Sequence, residues 1–126
     1  MHINFSPTSE FIKIAASLYG NVLTINEYAT DESPLAEYTL DFAPLTEGAT
    51  LPEGATGCPW ISGSVTRVGG TLHLTLILPH GSDAPYESRF PEPITVTQDG
   101  PIALPPYDEV LVDDPIILLP YDEVTA

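Results

Sequence analysis

The residues best suited to chemistry in this sequence are three histidines, one cysteine and many carboxylates. His80 lies in a proline- and glycine-containing loop, three residues before Asp83, a pairing that could begin a metal site or supply a base. A structural metal site needs three or four ligands at close spacing, and the sequence brings neither Cys58 nor His2 to this loop. We therefore predict no metal site and no cofactor.

The other nucleophiles and bases favour structural roles. His73 alternates with leucines, so we expect a solvent-facing strand residue. Cys58 precedes a proline and Trp60, which is typical of a small buried thiol beside a core tryptophan. The serines lack a nucleophile-elbow context, since Ser64 falls inside a predicted strand. We predict that the protein is not an enzyme; an enzymatic role based on the His80 loop stays a minor alternative.

The charge balance restricts the partners. Eighteen acidic residues face three cations, Lys13, Arg67 and Arg89, giving a formal net charge of −15. Phosphates need cations to neutralise them, so this field should repel nucleic acid and anionic membrane. We expect a protein partner, with a homo-oligomer as a further possibility; the simplest alternative is that the acidity only keeps the protein soluble.

Two further features bear on the compartment. A single cysteine excludes a disulfide within the chain and fits a reducing cytoplasm. The opening residues, MHINFSPTSE, lack the basic and apolar regions of a signal peptide, so none is expected. No apolar run approaches the ~20 residues that cross a bilayer.

The elements that must position these residues are predicted to be short strands. β-Branched segments alternate with turn signals, which indicates an all-β fold: a small antiparallel sandwich or barrel with a long central loop and an extended C-terminal tail. Gly20-Asn21 and Gly69-Gly70 are two-residue hairpin turns. After the second turn, alternate positions should face the core, namely Leu72, Leu74, Leu76 and Leu78.

We predict a β domain over residues 1–105, in which 27–59 is a loop-rich insertion with 38–42 as its favoured strand. Pro79 is expected to end the leucine strand, and 80–93 to form a loop. Further strands are expected at 3–5, 11–18, 94–97 and 102–104. Antiparallel pairing is favoured because the links between consecutive strands are too short for crossovers.

The clearest pattern is a repeat in the acidic tail, residues 106–126. The segment PIALPPYDEV at 101–110 recurs as PIILLPYDEV at 115–124. Each copy joins an apolar extended piece to proline and an acidic end, a form that can add to a sheet edge or occupy a groove. Fourteen extended residues span roughly 45 Å, so two linked copies would gain avidity. The predicted partner-binding residues are Pro106, Tyr107, Asp108, Glu109, Pro120, Tyr121, Asp122 and Glu123.

Two alternatives compete with partner binding by this repeat. The first copy can be the last strand of the domain, turned by Asp99-Gly100. The second copy can be a duplication without a function.

Several short segments together carry a resemblance to a known family. They are LTIN at 23–26, DFAPL at 41–45, EGATLP at 47–52, CPW at 58–60, LHLTL at 72–76, LPHG at 78–81, FPEP at 90–93 and DGP at 99–101. As a set they resemble a family of small proteins of tailed phages and prophages, encoded among tail and virion genes. Residues 27–40 and the doubled tail depart from that family's pattern.

The resemblance implies a phage setting and no reaction. We therefore expect a phage structural or assembly protein, such as a minor tail component, located in the virion or in the host cytoplasm. It would bind another phage protein through its acidic surface and C-terminal repeat. The alternative is a host-directed inhibitor whose carboxylates mimic nucleic acid and occupy a basic groove.

Overall fold

A computed structural model describes residues 1–108 of the chain, and this part is an all-β sandwich. Nine strands and one single-turn helix occur in it. In chain order they are β1 (His2–Ser9), β2 (Ile12–Tyr19), β3 (Val22–Ala29), β4 (Pro34–Asp41), β5 (Thr50–Leu51), β6 (Ile61–Val68), β7 (Thr71–His80), α1 (Tyr86–Arg89), β8 (Ile94–Thr95) and β9 (Gly100–Pro101).

The strands form two sheets, and the described chain moves between them three times. The five-stranded sheet has the order β5-β6-β7-β1-β8, and the four-stranded sheet has the order β4-β3-β2-β9. Both predicted hairpins are confirmed: β2 turns into β3 at Gly20-Asn21, and β6 turns into β7 at Gly69-Gly70. Gly69 and Gly70 have φ of 61° and 79°, a region that favours glycine and matches a two-residue hairpin turn.

The core lies between the two sheets and is built by alternation along the strands. All four leucines on the predicted face of β7 are buried, as are Cys58 and Trp60. Except for Leu78, these residues pack across the sandwich in one cluster with Leu18 of β2 and Ile25 of β3. Because successive side chains of a strand point to opposite faces, burial of one leucine row fixes the face of the whole strand.

One pairing differs from the antiparallel expectation. β1 runs parallel to β7, from His2 opposite His73 to Ser9 opposite His80. The expectation rested on short links between consecutive strands, and β1 and β7 are not consecutive. β1 therefore lies inside the five-stranded sheet, with β8 antiparallel on its other side.

The region 27–59 contains more strand than predicted. β3 continues to Ala29, and β4 covers Pro34–Asp41 rather than 38–42. The turn between them is held by Ala29 N donating to Ser33 O at 2.9 Å and by the Asp31 carboxylate accepting from Ser33 N at 3.0 Å. Proline at the start of an edge strand costs no ladder hydrogen bond, so Pro34 is tolerated there.

Two prolines and one apolar segment also depart from expectation. β7 continues through Pro79 to His80. Proline is tolerated there because β6 does not pair with β7 beyond Leu76, so Pro79 lies opposite a residue of β1 alone. The last strand within residues 1–108 is Gly100–Pro101, not 102–104. Ile102 is nevertheless buried, and its N–H donates to Ala16 O at 2.8 Å, so the chain after β9 follows β2.

Candidate functional site

Four segments meet at one end of the sandwich. Because β1 and β7 are parallel, their last residues, Ser9 and His80, lie side by side. Glu10 N donates to His80 O at 3.2 Å, which ties the link after β1 to the end of β7. The helix α1 and residues 106–108 complete this end of the molecule.

Tyr107 is held there by both its backbone and its side chain. Its hydroxyl donates to the carbonyl oxygen of Glu10, and its own carbonyl accepts from Gly81 N at 2.7 Å. The ammonium of Lys13 lies 5.6 Å from the centroid of the Tyr107 ring, within cation–π range. We call Glu10, Lys13, Gly81 and Ser88 the tyrosine cradle.

Ser88 shows how closely the tail fits this end. Its side chain is 0% exposed and is the buried polar residue of the described part of the chain. Its hydroxyl donates to the carbonyl oxygen of Pro106 at 2.5 Å. A buried hydroxyl without a partner costs about 1–3 kcal/mol, so the tail carbonyl supplies a hydrogen bond that the domain needs.

The surroundings of Tyr107 favour the protonated form of its phenol. Burial raises the pKa of Tyr107, and the nearby carboxylates of Asp108 and Glu10 raise it further. The hydroxyl therefore remains a donor to Glu10 O at neutral pH. Asp108 itself is exposed, and its carboxylate lies so close to Gly81 that a Cβ at this position would overlap it.

These contacts divide the predicted partner-binding residues into two groups. Pro106 and Tyr107 lie half-buried against their own domain, and Asp108 follows them at the surface. The other five lie outside the described residues: Glu109, Pro120, Tyr121, Asp122 and Glu123. Residues 101–108, the described part of the first copy, are thus docked against their own domain, without forming the strand 102–104.

The surface around the cradle carries exposed aromatic side chains. Phe11, in the link after β1, is 90% exposed, and Tyr86 and Phe90 of the α1 segment are 69% and 57% exposed. The Tyr86 and Phe90 rings stack with centroids 4.9 Å apart. Exposed aromatic residues are enriched at protein interfaces, so this end has the composition of a contact surface.

A shallow groove begins at Glu10 and runs beside the aromatic end. It encloses about 420 Å³ and is lined by residues that include Ser6, Thr8, Glu10, Pro59, Trp60 and Ile77. Its lining offers hydroxyls, an indole and one carboxylate, which is suited to an extended peptide more than to a small anion.

The residues considered for catalysis are not assembled into a catalytic group. His80 is half-buried, with Nδ1 3.1 Å from Gly81 O, and Asp83 is exposed. Burial raises the pKa of the Cys58 thiol, so the thiolate is disfavoured. His73 stands beside His2 with ring centroids 5.4 Å apart. Across residues 1–108, no group of three or more His, Cys, Asp or Glu side chains could hold a metal ion.

All three cations of the chain take part in internal contacts. Arg67 donates to the carbonyls of Leu45 and Phe42 at 2.6 and 3.0 Å, which holds the loop after β4. Lys13 pairs with Glu32 at 3.5 Å, and Arg89 Nε donates to Ala84 O at 3.1 Å. Most of the described carboxylates are exposed, so the surface field is strongly negative.

The sequence analysis selected the tail residues Pro106 and Tyr107, but it did not select the domain residues that hold them. Glu10, Gly81 and Ser88 act through backbone groups or one hydroxyl, which leave no motif in the sequence. No helix within residues 1–108 is long and apolar enough to cross a membrane. Comparison of the chain with known protein families, with curated proteins and with solved structures gives no match.

Proposed function

We propose that the protein is a non-enzymatic binding protein that holds another protein through its C-terminal repeat and acidic surface. The observation that carries the proposal is the docking of Pro106 and Tyr107 in the tyrosine cradle. It is an example, within one chain, of this tail sequence binding a β-sandwich through backbone carbonyls and a tyrosine. Because Pro120 and Tyr121 repeat the same residues, a second such ligand is present in the chain.

The setting we propose is a tailed phage, where the protein would be a minor tail component or an assembly factor. This part of the proposal is supported by the resemblance of the segments between residues 23 and 101 to proteins encoded among tail and virion genes. The aromatic end formed by Phe11, Tyr86 and Phe90 supports a protein partner over a small molecule. Another protein of the virion is the partner that fits both lines of support.

Deletion of residues 110–126 tests the role of the tail. We expect the shortened protein to fold, because all described elements lie within residues 1–108, and to lose its partner in co-purification from phage-infected cells. A matched control carries Asp113→Asn and Asp114→Asn, which change the spacer and leave both repeat copies intact. Undiminished co-purification of tail proteins with the deleted form would contradict the proposal.

Mass spectrometry of purified virions tests the setting. A virion component should appear at a copy number that matches the symmetry of the tail. If the protein is expressed during infection and absent from virions, the proposed role narrows to an assembly factor.

A second candidate, an inhibitor that mimics nucleic acid, is favoured by one observation: all three Lys and Arg side chains contact groups of the same chain, and most of the described carboxylates are exposed. This candidate predicts binding to a host protein that weakens steeply with salt and is displaced by DNA. Binding through the repeat should depend less on salt, because Pro106 and Tyr107 make neutral hydrogen bonds.

A further inference from the structure

The tyrosine cradle recognises very little of the sequence that it holds. Its contacts are to the carbonyl oxygen of Pro106 and to the carbonyl, hydroxyl and ring of Tyr107. Any segment that presents proline followed by tyrosine in the same backbone conformation offers the same atoms. The chain contains such a segment at Pro120 and Tyr121, again followed by aspartate.

We propose that Pro120-Tyr121-Asp122 is a second ligand of the cradle and replaces Pro106-Tyr107-Asp108 there within the same chain. The positions at which the two repeat copies differ are Ala103 against Ile117 and Pro105 against Leu119. Neither Ala103 nor Pro105 makes a described hydrogen bond to the cradle, so the hydrogen bonds of the cradle do not depend on the positions at which the copies differ.

Residues 100–102 are anchored to β2, and this limits the length of chain that the second copy can replace. Ile102 is buried and its N–H donates to Ala16 O at 2.8 Å, while Gly100 pairs with Leu18. Gly100, which precedes the first copy, has φ of 125°, and the residue that precedes the second copy is Asp114, which would be strained in that conformation. The first copy therefore keeps its place up to Ile102, and only the part beyond it is exchanged.

The connectivity favours exchange within one chain. When the second copy is bound, the chain leaves the domain after Ile102 and returns at Pro120, so the exchanged loop starts and ends on the same domain. The entropy cost of such a loop grows slowly with its length. A tethered ligand has an effective concentration of about millimolar order, which exceeds that of a second chain in dilute solution.

The exchange leaves one Pro-Tyr-Asp sequence outside the cradle in either state. Its use for capturing a partner rests on the function proposed above, whereas the exchange itself does not. A partner that binds one copy would leave the other to fill the cradle, and Ser88 would keep its hydrogen bond.

Hydrogen exchange at one amide tests the proposal in the full-length chain. Gly81 N–H is bonded to Tyr107 O, so its exchange rate reports whether the cradle is filled. With Tyr107→Ala or Tyr121→Ala alone we expect nearly wild-type protection, because the other copy fills the site. With both substitutions we expect exchange of Gly81 N–H roughly tenfold faster, while the core amides of Ile25 and Leu74 stay protected.

The control is Tyr19→Ala, which removes an exposed tyrosine at the opposite end of β2 from Lys13 of the cradle and should leave the Gly81 exchange rate unchanged. Should the double alanine variant not fold, the pair Tyr107→Phe and Tyr121→Phe keeps the rings and removes only the hydroxyl that donates to Glu10 O. Adding a peptide of residues 115–124 to the double variant should restore protection of Gly81.

Three results would overturn the proposal. Tyr107→Ala alone exchanging as fast as the double variant would mean that the second copy does not enter the cradle. Full protection in the double variant would mean that tyrosine is not what the cradle binds. Protection in Tyr107→Ala that rises with protein concentration would assign the second ligand to another copy of the chain. None of these readouts involves a partner, so they are separate from failure of the proposed function.

Discussion

At the scale of single residues, Glu27 joins the two sheets. Its Oε1 accepts from Trp60 Nε1 at 3.0 Å and from the Tyr38 hydroxyl at 3.4 Å. Glu27 and Tyr38 belong to the four-stranded sheet, whereas Trp60 directly precedes β6 of the other sheet. Burial and the Glu27 carboxylate raise the pKa of Tyr38, so the phenol stays a donor.

We predict that Glu27→Ala lowers the free energy of unfolding by about 1–3 kcal/mol, because the buried indole N–H of Trp60 loses its acceptor. Urea unfolding followed by fluorescence measures this directly, since Trp60 is the single tryptophan. Glu27→Gln keeps an acceptor and should recover most of the loss, and Glu37→Ala is the control at an exposed strand position. Equal loss in the alanine and glutamine variants would show that the charge matters and the hydrogen bond does not.

Glu47 clamps the turn between β6 and β7. Its two carboxylate oxygens accept from Gly70 N and Gly69 N, each at 2.7 Å. These two hydrogen bonds, with Gly70 the larger contributor, lower the pKa of Glu47 from its usual 4.5. The clamp needs the ionised form, so it links the stability of this hairpin to pH.

The sign of that dependence follows from the lowered pKa. The contribution of Glu47 is present above its unfolded pKa and is lost as the pH falls through the lower folded pKa. We predict that Glu47→Gln reduces stability at pH 7 and flattens the fall in stability below about pH 4.5, measured by thermal melts across pH. Glu53→Gln, an exposed loop substitution, is the control. If the stability of Glu47→Gln fell with acid in the same way as that of the wild type, the two hydrogen bonds of Glu47 would not contribute to the pH dependence.

At the scale of elements, β7 is the strand on which the sandwich is organised. It pairs with β6 and β1 in its own sheet and packs against β2 of the other sheet. Its buried leucine row faces that second sheet, whereas Thr75 lies half-buried on the opposite face.

We predict that Leu74→Ala costs about 2–5 kcal/mol of unfolding free energy, because the residue is fully buried and its neighbours cannot close the cavity. Thr75→Ala is the adjacent control and should cost far less. Denaturant unfolding compares the two, and similar losses would mean that the two faces of β7 are not distinct.

The elements that the sequence predicts well are those defined by neighbouring residues. The leucine row of β7 and the Gly20-Asn21 and Gly69-Gly70 turns carry their signals within a few positions, and all three are confirmed. The parallel pairing of β1 with β7 is not predicted, because it joins residues as far apart in the sequence as His2 and His73, and no local sequence pattern indicates such a pairing. β4 was shortened in the prediction because Pro34 reads as a loop signal.

The candidate site likewise has one part that the sequence indicates and one part that only the fold shows. Tyr107 could be selected because the repeat marks it, yet the groups that hold it come from the link after β1, the end of β7 and α1. A carbonyl of Glu10 and an amide of Gly81 are available at any residue, so only the fold identifies them. Ser88 is an ordinary serine in the sequence and becomes distinctive by being fully buried.

At the scale of the whole molecule, the sheet edges favour pairing with a second copy, whereas the acidic surface opposes it. β5, β8 and β9 are two-residue edge strands, whereas β4 presents eight residues along one side of the four-stranded sheet. An unpaired strand of that length can add a further strand. Pro34, Glu37 and Asp41 are exposed along β4, and a net charge of −15 repels a second copy, so the edge is protected against self-pairing.

The internal position of β1 has a consequence for biosynthesis. Among the strands, β1 leaves the ribosome first, but its neighbours β7 and β8 are completed only at His80 and Thr95. The four-stranded sheet can start from the β2–β3–β4 meander while β1 remains unpaired on both sides, so the nascent chain completes the other sheet late. The polar residues of β1 and its Pro7 make the waiting strand a poor template for aggregation.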